Sequence, residues 1–231
     1  MSRQTAFITG ASKGIGKALT QALLERGWRV IALARHTEPL DALTQTYGDH
    51  CRPVAVDVRD AAALQDAVRT HIAAPAQSVH LLFPSAGLAH VGAFEAMPPE
   101  AWRAMIEVNL TGLIQTVQLV LPHMADGGHI VIPGSIAGAT GFANWAVYSA
   151  TKFGVRGFAE ALRNEVRPRG IHVTHLTLGA TATPLWEAVP GAWDRRNMLT
   201  PEEVAAWILH ILDHPQSGVE DLRLLPPKGV L

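Results

Sequence analysis

Short apolar runs alternate along the chain with longer segments in which apolar residues recur at helical spacing. The short runs are apolar at successive positions, which is typical of strands buried on both faces of a parallel sheet. The longer segments have the period of amphipathic helices. Pro39, Pro99 and Pro201 lie near three of the predicted helix starts, where the missing backbone N–H of proline costs little.

This pattern predicts seven strands and seven helices. The predicted strands are residues 6–8, 30–33, 54–56, 79–83, 129–132, 173–178 and 222–225. The predicted helices are residues 14–26, 39–47, 61–72, 99–108, 111–124, 146–166 and 201–212. Their alternation predicts an α/β fold with a doubly wound, parallel, seven-stranded sheet and helices on both faces. With 231 residues and no repeat or low-complexity linker, residues 1–231 are expected to form a single domain.

Composition limits which binding partners and which cellular compartment are expected. Hydrophobic residues make up 48% of the chain, charged residues 17%, and the net charge is -1, so no surface bias toward nucleic acid or anionic membranes is indicated. No stretch reaches the roughly 20 apolar residues of a spanning helix, and the first apolar run is too short for a signal peptide. Cys51 is the only cysteine, which fits a reducing compartment. We therefore expect a cytoplasmic protein without nucleic-acid or membrane partners.

The segment between the first predicted strand and the first predicted helix is rich in glycine. Glycine tolerates positive φ and has no Cβ, so backbone N–H groups and the positive helix end can face a pyrophosphate there. The spacing differs from both the G-x-G-x-x-G and the G-x-x-x-x-G-K-[ST] loops, and glycine-rich turns also occur for structural reasons. The loop alone favours phosphate binding by a small margin. Its residues are Thr9, Gly10, Ala11, Ser12, Lys13, Gly14, Ile15 and Gly16.

Tyr148 and Lys152 lie four residues apart in the sixth predicted helix and therefore share one face. A neighbouring ammonium favours the phenolate and lowers the phenol pKa from about 10. Reduction of a carbonyl needs a hydride on carbon and a proton on the developing alkoxide, and the hydroxyl of Ser135 can hydrogen-bond that oxygen. Tyr and Lys at this spacing more often lie on a solvated helix face, so the pair alone is a weak signal.

Together these motifs resemble the short-chain dehydrogenase/reductase family. The family's cofactor loop reads Thr-Gly-x-x-x-Gly-x-Gly, which residues 9–16 match completely, and Ser135 precedes Tyr148 by the family's thirteen residues. Asn109 occupies the place of the family's asparagine near the end of a preceding helix. The resemblance spans residues 5 to about 225 and implies a Rossmann-like oxidoreductase. It also implies that Tyr148 is the general acid/base, that Lys152 lowers its pKa and binds the nicotinamide ribose, that Ser135 polarises the carbonyl, and that Asn109 supports a water relay to Lys152.

The end of the second predicted strand bears on the choice of dinucleotide. NAD-preferring members of the family have an acidic residue there, whereas this strand ends in Ala34-Arg35. Arg35 and Lys13 are cations suited to a 2′-phosphate, which favours NADP(H); the alternative is that both are solvated surface cations. Asp57 and Val58 resemble the family's adenine-binding pair, although Asp57 could instead cap a helix.

Further cofactor contacts implied by the resemblance include positions that depart from the family. Pro84 lacks the N–H that the family's Asn-Asn-Ala-Gly segment offers, so we expect weaker support of this segment by the sheet. Pro133 lacks a ladder donor and is expected to shift the approach of Ser135. Leu178 replaces the family's proline before Gly179. The contacts implied in these segments are Ser85, Ala86, Gly87, Gly179, Thr181 and Thr183.

Residues 185–199 lie where the family has a mobile substrate lid. The apolar side chains of Trp186, Pro190, Trp193 and Met198 favour a largely apolar substrate. The sequence thus predicts an NADP(H)-dependent oxidoreductase acting on a small-molecule carbonyl or alcohol, without a metal site, and the resemblance implies a homodimer or homotetramer. The alternatives are an NAD-dependent alcohol dehydrogenase and a non-catalytic NADPH-binding sensor.

Overall fold

A seven-stranded parallel sheet runs through the molecule, whose computed structural model describes residues 3–73 and 77–229. The strands are β1 (Thr5–Thr9), β2 (Arg29–Ala34), β3 (Cys51–Ala55), β4 (Val79–Pro84), β5 (Met124–Pro133), β6 (His172–Leu178) and β7 (Asp221–Leu224). Their order is β3-β2-β1-β4-β5-β6-β7, and every neighbouring pair is parallel. The predicted doubly wound sheet is confirmed.

Seven α-helices lie around this sheet in the described residues. They are α1 (Gly14–Glu25), α2 (Asp41–Tyr47), α3 (Ala61–Val68), α4 (Pro99–Ile106), α5 (Gly112–Val120), α6 (Ala146–Val166) and α7 (Pro201–Asp213). Helices α1, α2 and α7 pack on one face, and α3, α5 and α6 pack on the other. Because side chains alternate along a strand, Ala6 and Ile8 of β1 face the first layer while Phe7 faces the second.

The predicted break between two helices at residues 108–111 is wrong. Helices α4 and α5 are joined by a π-helical turn, Glu107–Thr111, so the chain stays helical from Pro99 to His123. A π turn adds a residue to the helix and re-aims its side chains, and such turns are frequent at functional sites. This one carries Asn109. The helical chain ends in a short 3₁₀ turn around Pro122, whose missing N–H ends the α-helical bonding, and Met124 begins β5 rather than ending a helix.

By length and composition alone, the helical stretch from Pro99 to His123 could also cross a membrane. Core helices of globular α/β proteins pass the same test. Its residues Leu113, Val117 and Val120 are buried against the sheet.

The third strand also differs from its prediction of residues 54–56. It runs from Cys51 to Ala55 and includes Arg52 and Pro53, which an apolar pattern does not detect. Strand β3 is the edge of the sheet and pairs only with β2, and a proline is tolerated in an edge strand. Smaller shifts at other boundaries leave the topology unchanged.

Candidate active site

A cavity of about 790 Å³ opens at the carboxyl ends of the strands. Strand order reverses between β1 and β4, and doubly wound sheets bind ligands at such a reversal. The structure brings every predicted site residue to the wall of this cavity. The catalytic candidates there are Asn109, Ser135, Tyr148 and Lys152. The cofactor-binding candidates are Gly10, Ser12, Lys13, Gly14, Ile15, Gly16, Arg35, Asp57, Val58, Ser85, Ala86, Gly87, Gly179, Thr181 and Thr183.

The glycine loop turns tightly between β1 and α1. Gly10 has φ +68° and Gly14 has φ +55°, a region that residues with a Cβ rarely adopt. A Cβ on Gly10 would also lie 2.8 Å from the backbone nitrogen of Ala86, and one on Gly16 would collide with the carbonyl of Gly10. The loop therefore packs directly on the segment that follows β4, and it presents the amino terminus of α1 to the cavity.

Ser85 secures the segment after β4 despite the proline before it. Its backbone N–H and its hydroxyl both donate to the carbonyl of Thr9, at 3.2 and 2.6 Å. The N–H of Ala86 donates to the Thr9 hydroxyl at 3.2 Å. Pro84 still pairs in register with Thr9 as the last residue of β4. On the side of β1, Ser85 thus holds the segment after β4, and the weaker support expected from Pro84 is not seen there.

Asn109 connects two walls of the cavity from its π turn. Its side-chain oxygen accepts from the N–H of Leu88, and its side-chain nitrogen donates to the Leu88 carbonyl, both at 2.9 Å. The same nitrogen lies 3.4 Å from the hydroxyl of Thr151, which precedes Lys152. The side chain is almost completely buried. Asn109 thus ties the loop after β4 to helix α6.

Ser135 follows β5 in an extended conformation and caps the next short turn. Its hydroxyl oxygen accepts from the N–H of Ala137 at 3.1 Å. The N–H of Gly134 donates to the carbonyl of Leu176 at 2.8 Å, so the bonding to β6 continues past Pro133. The missing N–H of Pro133 therefore does not interrupt the bonding to β6, because the N–H groups that face β6 belong to its neighbours in the strand.

Tyr148 and Lys152 face the cavity from the first turns of α6. The Lys152 ammonium nitrogen donates to the carbonyl of Pro133 at 3.0 Å and lies 5.7 Å from the centre of the Tyr148 ring. Gly138 permits this packing, since a Cβ there would lie 2.7 Å from the Lys152 carbonyl. The proline of β5 thus contributes an oxygen that orients Lys152 beside the phenol.

Burial dominates the protonation of this pair. It raises the pKa of Tyr148 to about 12, while the Ser135 side chain acts in the opposite direction. Burial also lowers the pKa of Lys152 to about 8. Burial thus acts against the expected lowering of the phenol pKa, because the buried phenolate would lose its hydration. Tyr148 stays protonated at neutral pH and can donate to an oxygen that gains negative charge.

Cationic side chains gather where β2 and β3 end. Arg35 is exposed there, and Arg59 binds Asp57 with both ends of its guanidinium, at 2.7 and 3.1 Å. Hydrogen bonds from Arg59 hold the pKa of Asp57 below its usual range. Asp57 does not cap α3, because Asp60 fills that role by accepting from the N–H of Ala63. The capping alternative for Asp57 is thus eliminated.

Sequence reasoning missed two residues at this end of the cavity. Arg59 and His36 also line the cavity. Both follow the end of a strand by a few residues, and this position in the sequence could have revealed them. Asp57, which is bound by Arg59, is the single carboxylate among the described residues that line the cavity.

The segment after β6 closes the cavity on the opposite side. The methyl group of Thr183 lies against Gly14, where a Cβ would approach it to 3.0 Å. Gly179 is held by a 2.8 Å bond from its N–H to the carbonyl of Leu224. The two ends of the predicted lid, residues 185–199, lie close together, because Thr181 just before the lid and Leu199 at its end form a parallel bridge. The lid residues lining the cavity are Leu185, Trp186, Ala188 and Trp193.

Within residues 3–73 and 77–229, no three His, Cys, Asp or Glu side chains gather where they could hold a metal ion. His210 on helix α7 and His214 directly after it have ring centres 4.3 Å apart and planes tilted by 43°, and neither lines the cavity.

Comparison with known proteins identifies the family. A family model described as short chain dehydrogenase matches residues 4–192. An oxidoreductase of Myxococcus xanthus (strain DK1622) is 37% identical over 190 residues, 80% of this chain and 75% of that protein. An NADP-dependent 3-hydroxy acid dehydrogenase of Shigella flexneri is 35% identical over 236 residues, 95% of this chain and 94% of that protein. The closed form of a serine dehydrogenase complexed with NADP+ superposes with a TM-score of 0.88 at 27% identity, covering 99% of this chain and 97% of the other.

The chain belongs to the short-chain dehydrogenase family. It is accordingly an oxidoreductase that acts on alcohol or carbonyl groups and binds a nicotinamide dinucleotide.

Proposed function

We propose that this protein is an NADP(H)-dependent oxidoreductase that interconverts the carbonyl and alcohol forms of a largely apolar small molecule. The observation that carries the proposal is the single cavity that joins the glycine loop and its cationic end to Tyr148, Ser135 and Lys152. The tight backbone turn at Gly10 and the amino terminus of α1 fit a pyrophosphate. When bound, the nicotinamide supplies or accepts the hydride.

Side chains of this protein bind the substrate oxygen and exchange a proton with it. Tyr148 acts as the general acid/base, because its phenol is protonated at neutral pH and lies beside Ser135. The Ser135 hydroxyl donates to the substrate oxygen as negative charge develops on it. Lys152, held by the Pro133 carbonyl, places its amine beside the phenol and contributes to binding of the nicotinamide ribose. Asn109 holds the loop at Leu88 and helix α6 in position around this group.

The cationic end of the cavity supports NADP(H) over NAD(H). Lys13 and Arg35 are exposed, and neither forms an ion pair among residues 3–73 and 77–229. A guanidinium and an ammonium free to bind favour a 2′-phosphate, and a carboxylate engaged by Arg59 does not repel it. The relatives named above as NADP-dependent or complexed with NADP+ agree with this preference.

Arg35→Asp is expected to change the cofactor preference. It removes a charge-assisted donor for the 2′-phosphate and places a carboxylate beside Asp57, so the ratio of kcat/KM for NADPH to that for NADH should fall by about tenfold or more. Steady-state kinetics with both cofactors measures this ratio. Arg69→Asp, the same charge change on an exposed arginine outside the cavity, should leave it unchanged. Equal ratios in wild type and Arg35→Asp would favour the NAD-dependent alternative.

A non-catalytic sensor is the weaker alternative. A sensor has no use for a buried phenol with a lysine held against it, and this chain keeps both, together with Ser135 and Asn109. NADPH oxidation in the presence of ketones, aldehydes and quinones tests the choice, because a sensor binds NADPH without consuming it.

We further propose that the protein is a cytoplasmic homodimer or homotetramer. Ile106 of α4 and Phe153 of α6 lie on adjacent helices and are 37% and 48% exposed, so an interface on this face would bury two large apolar side chains. Sedimentation equilibrium distinguishes these assemblies from a monomer. A reducing compartment also fits the free, buried thiol of Cys51.

A further inference from the structure

Three tryptophans form a continuous aromatic wall at the end of the cavity where Tyr148 and Ser135 lie. This wall consists of Trp145, Trp186 and Trp193, all of which line the cavity. Starting from the Tyr148 ring, successive ring centres are 5.3, 6.2 and 4.9 Å apart, and the rings are inclined to one another by 58–69°. These are edge-to-face or tilted contacts of the kind that aromatic rings favour. The wall thus begins beside the proposed proton donor and extends into the lid.

The backbone is shaped to hold two of these rings. Asn144, directly before Trp145, has φ +67° and is the single described non-glycine residue with positive φ; its carbonyl accepts from the N–H of Gly92 at 3.0 Å. Gly191 has φ +125°, and a Cβ on it would lie 2.9 Å from the indole nitrogen of Trp193. That indole N–H donates to the carbonyl of Pro190 at 3.0 Å. Trp145 and Trp193 are therefore positioned by local strain and close packing.

The charges of the cavity lie away from this wall. Two of its cations form no ion pair among the described residues: Arg35 after β2 and Lys13 in the glycine loop after β1. Strand β4 separates them from the end of β5, near which Tyr148 lies. Two further arginines, Arg195 and Arg196, belong to the lid but are paired with its own carboxylates and do not line the cavity. Beside the wall, Lys152 is buried and bonded to Pro133, and His90 is exposed. A substrate carboxylate at the wall would lose hydration without gaining an arginine or a free lysine.

Resting on the function proposed above, we infer that the substrate is a neutral compound whose reacting carbon carries an aromatic ring. A substituent directly on that carbon meets Trp145 first, because Trp145 contacts the Tyr148 ring, and Trp186 next. An aryl group continues the run of inclined rings, whereas a saturated group of the same size fills the space without ring-to-ring attraction. This substrate class differs from the hydroxy acid and the serine named for two of the relatives.

NADPH and Tyr148 supply the hydride and the proton that the reduction of this substrate requires. A C–H bond forms at the carbonyl carbon with hydride from NADPH, the C–O double bond becomes single, and the oxygen takes the Tyr148 proton. The products are a benzylic alcohol and NADP+, and Tyr148 regains its proton from solvent. In the reverse direction the same alcohol is oxidised.

Calorimetric titration with NADP+ bound tests the inference without requiring turnover. The probes are 1-phenylpropan-1-one, its saturated analogue 1-cyclohexylpropan-1-one, and the carboxylate 4-oxo-4-phenylbutanoate. We expect the aryl ketone to bind about tenfold more tightly than either of the other two. Trp186→Leu should remove most of the preference over the cyclohexyl ketone. Trp207→Leu, a tryptophan of α7 that is 45% exposed and outside the cavity, should leave the preference intact.

The outcomes separate this inference from the proposed function. Equal or tighter binding of the carboxylate or of the cyclohexyl ketone overturns the inference, as does no binding of the aryl ketone or a preference that survives Trp186→Leu. Oxidation of NADPH by those other probes would still uphold the proposed function. Selective binding of the aryl ketone without NADPH oxidation would uphold the preference of the wall for an aryl group and contradict the proposed function.

Discussion

Tyr148→Phe is expected to lower kcat for carbonyl reduction by about three orders of magnitude while leaving the NADPH Kd within about threefold. The substitution removes only the hydroxyl, and with it the proton that the developing alkoxide needs. Burial that raises the pKa of Tyr148 to about 12 keeps this proton in place at neutral pH. NADPH oxidation with an accepted ketone measures kcat, and fluorescence titration measures Kd.

The chain contains one matched control for this substitution. Tyr47, at the end of α2, is the other of its two tyrosines and does not line the cavity. Tyr47→Phe makes the same change of one hydroxyl and should leave kcat unchanged. Turnover near that of the wild type in Tyr148→Phe would contradict the assignment of the general acid, whatever the cofactor affinity.

Gly10→Ala is expected to weaken NADPH binding by about a hundredfold. Two effects add at this position: φ of +68° is unfavourable for alanine, and the new Cβ would lie 2.8 Å from the Ala86 backbone, which cannot rotate away as a side chain would. The loop must therefore move away from the segment after β4, and its N–H groups move with it. Fluorescence titration with NADPH gives the loss of affinity, and circular dichroism shows that the variant is folded.

Gly27→Ala separates the two effects. Gly27 has φ +78°, but nothing lies within 4 Å of the position of its Cβ, and it lies outside the cavity. It should lose stability from the unfavourable φ, about 1 kcal/mol, and keep its NADPH affinity. If both variants bind NADPH as tightly as the wild type does, the close approach of Gly10 to Ala86 has no part in forming the cofactor site.

The site was predictable where its chemistry lies in neighbouring residues. The spacing of Tyr148 and Lys152 places both on one helix face because a turn of helix has 3.6 residues, and they do lie together in the cavity. Residues 9–16 likewise form the tight turn that their glycines indicate. Local spacing did not reveal the π turn that carries Asn109, because the amide of Asn109 is bound to Leu88 and Thr151, distant in the chain.

The sequence by itself determined the presence of seven strands, the burial of the central ones on both faces, the glycine turn and the shared helix face of Tyr148 and Lys152. Each of these follows from the period of apolar residues or from the conformations that a residue and its near neighbours allow. Only the tertiary structure decided that Ser85 and Gly134 continue the bonding to β1 and β6 next to Pro84 and Pro133, and that burial raises the pKa of Tyr148. It also decided that three tryptophans from separate segments meet beside that phenol. The physical reason is that burial and contacts between distant segments depend on how the elements pack, which no short stretch of sequence specifies.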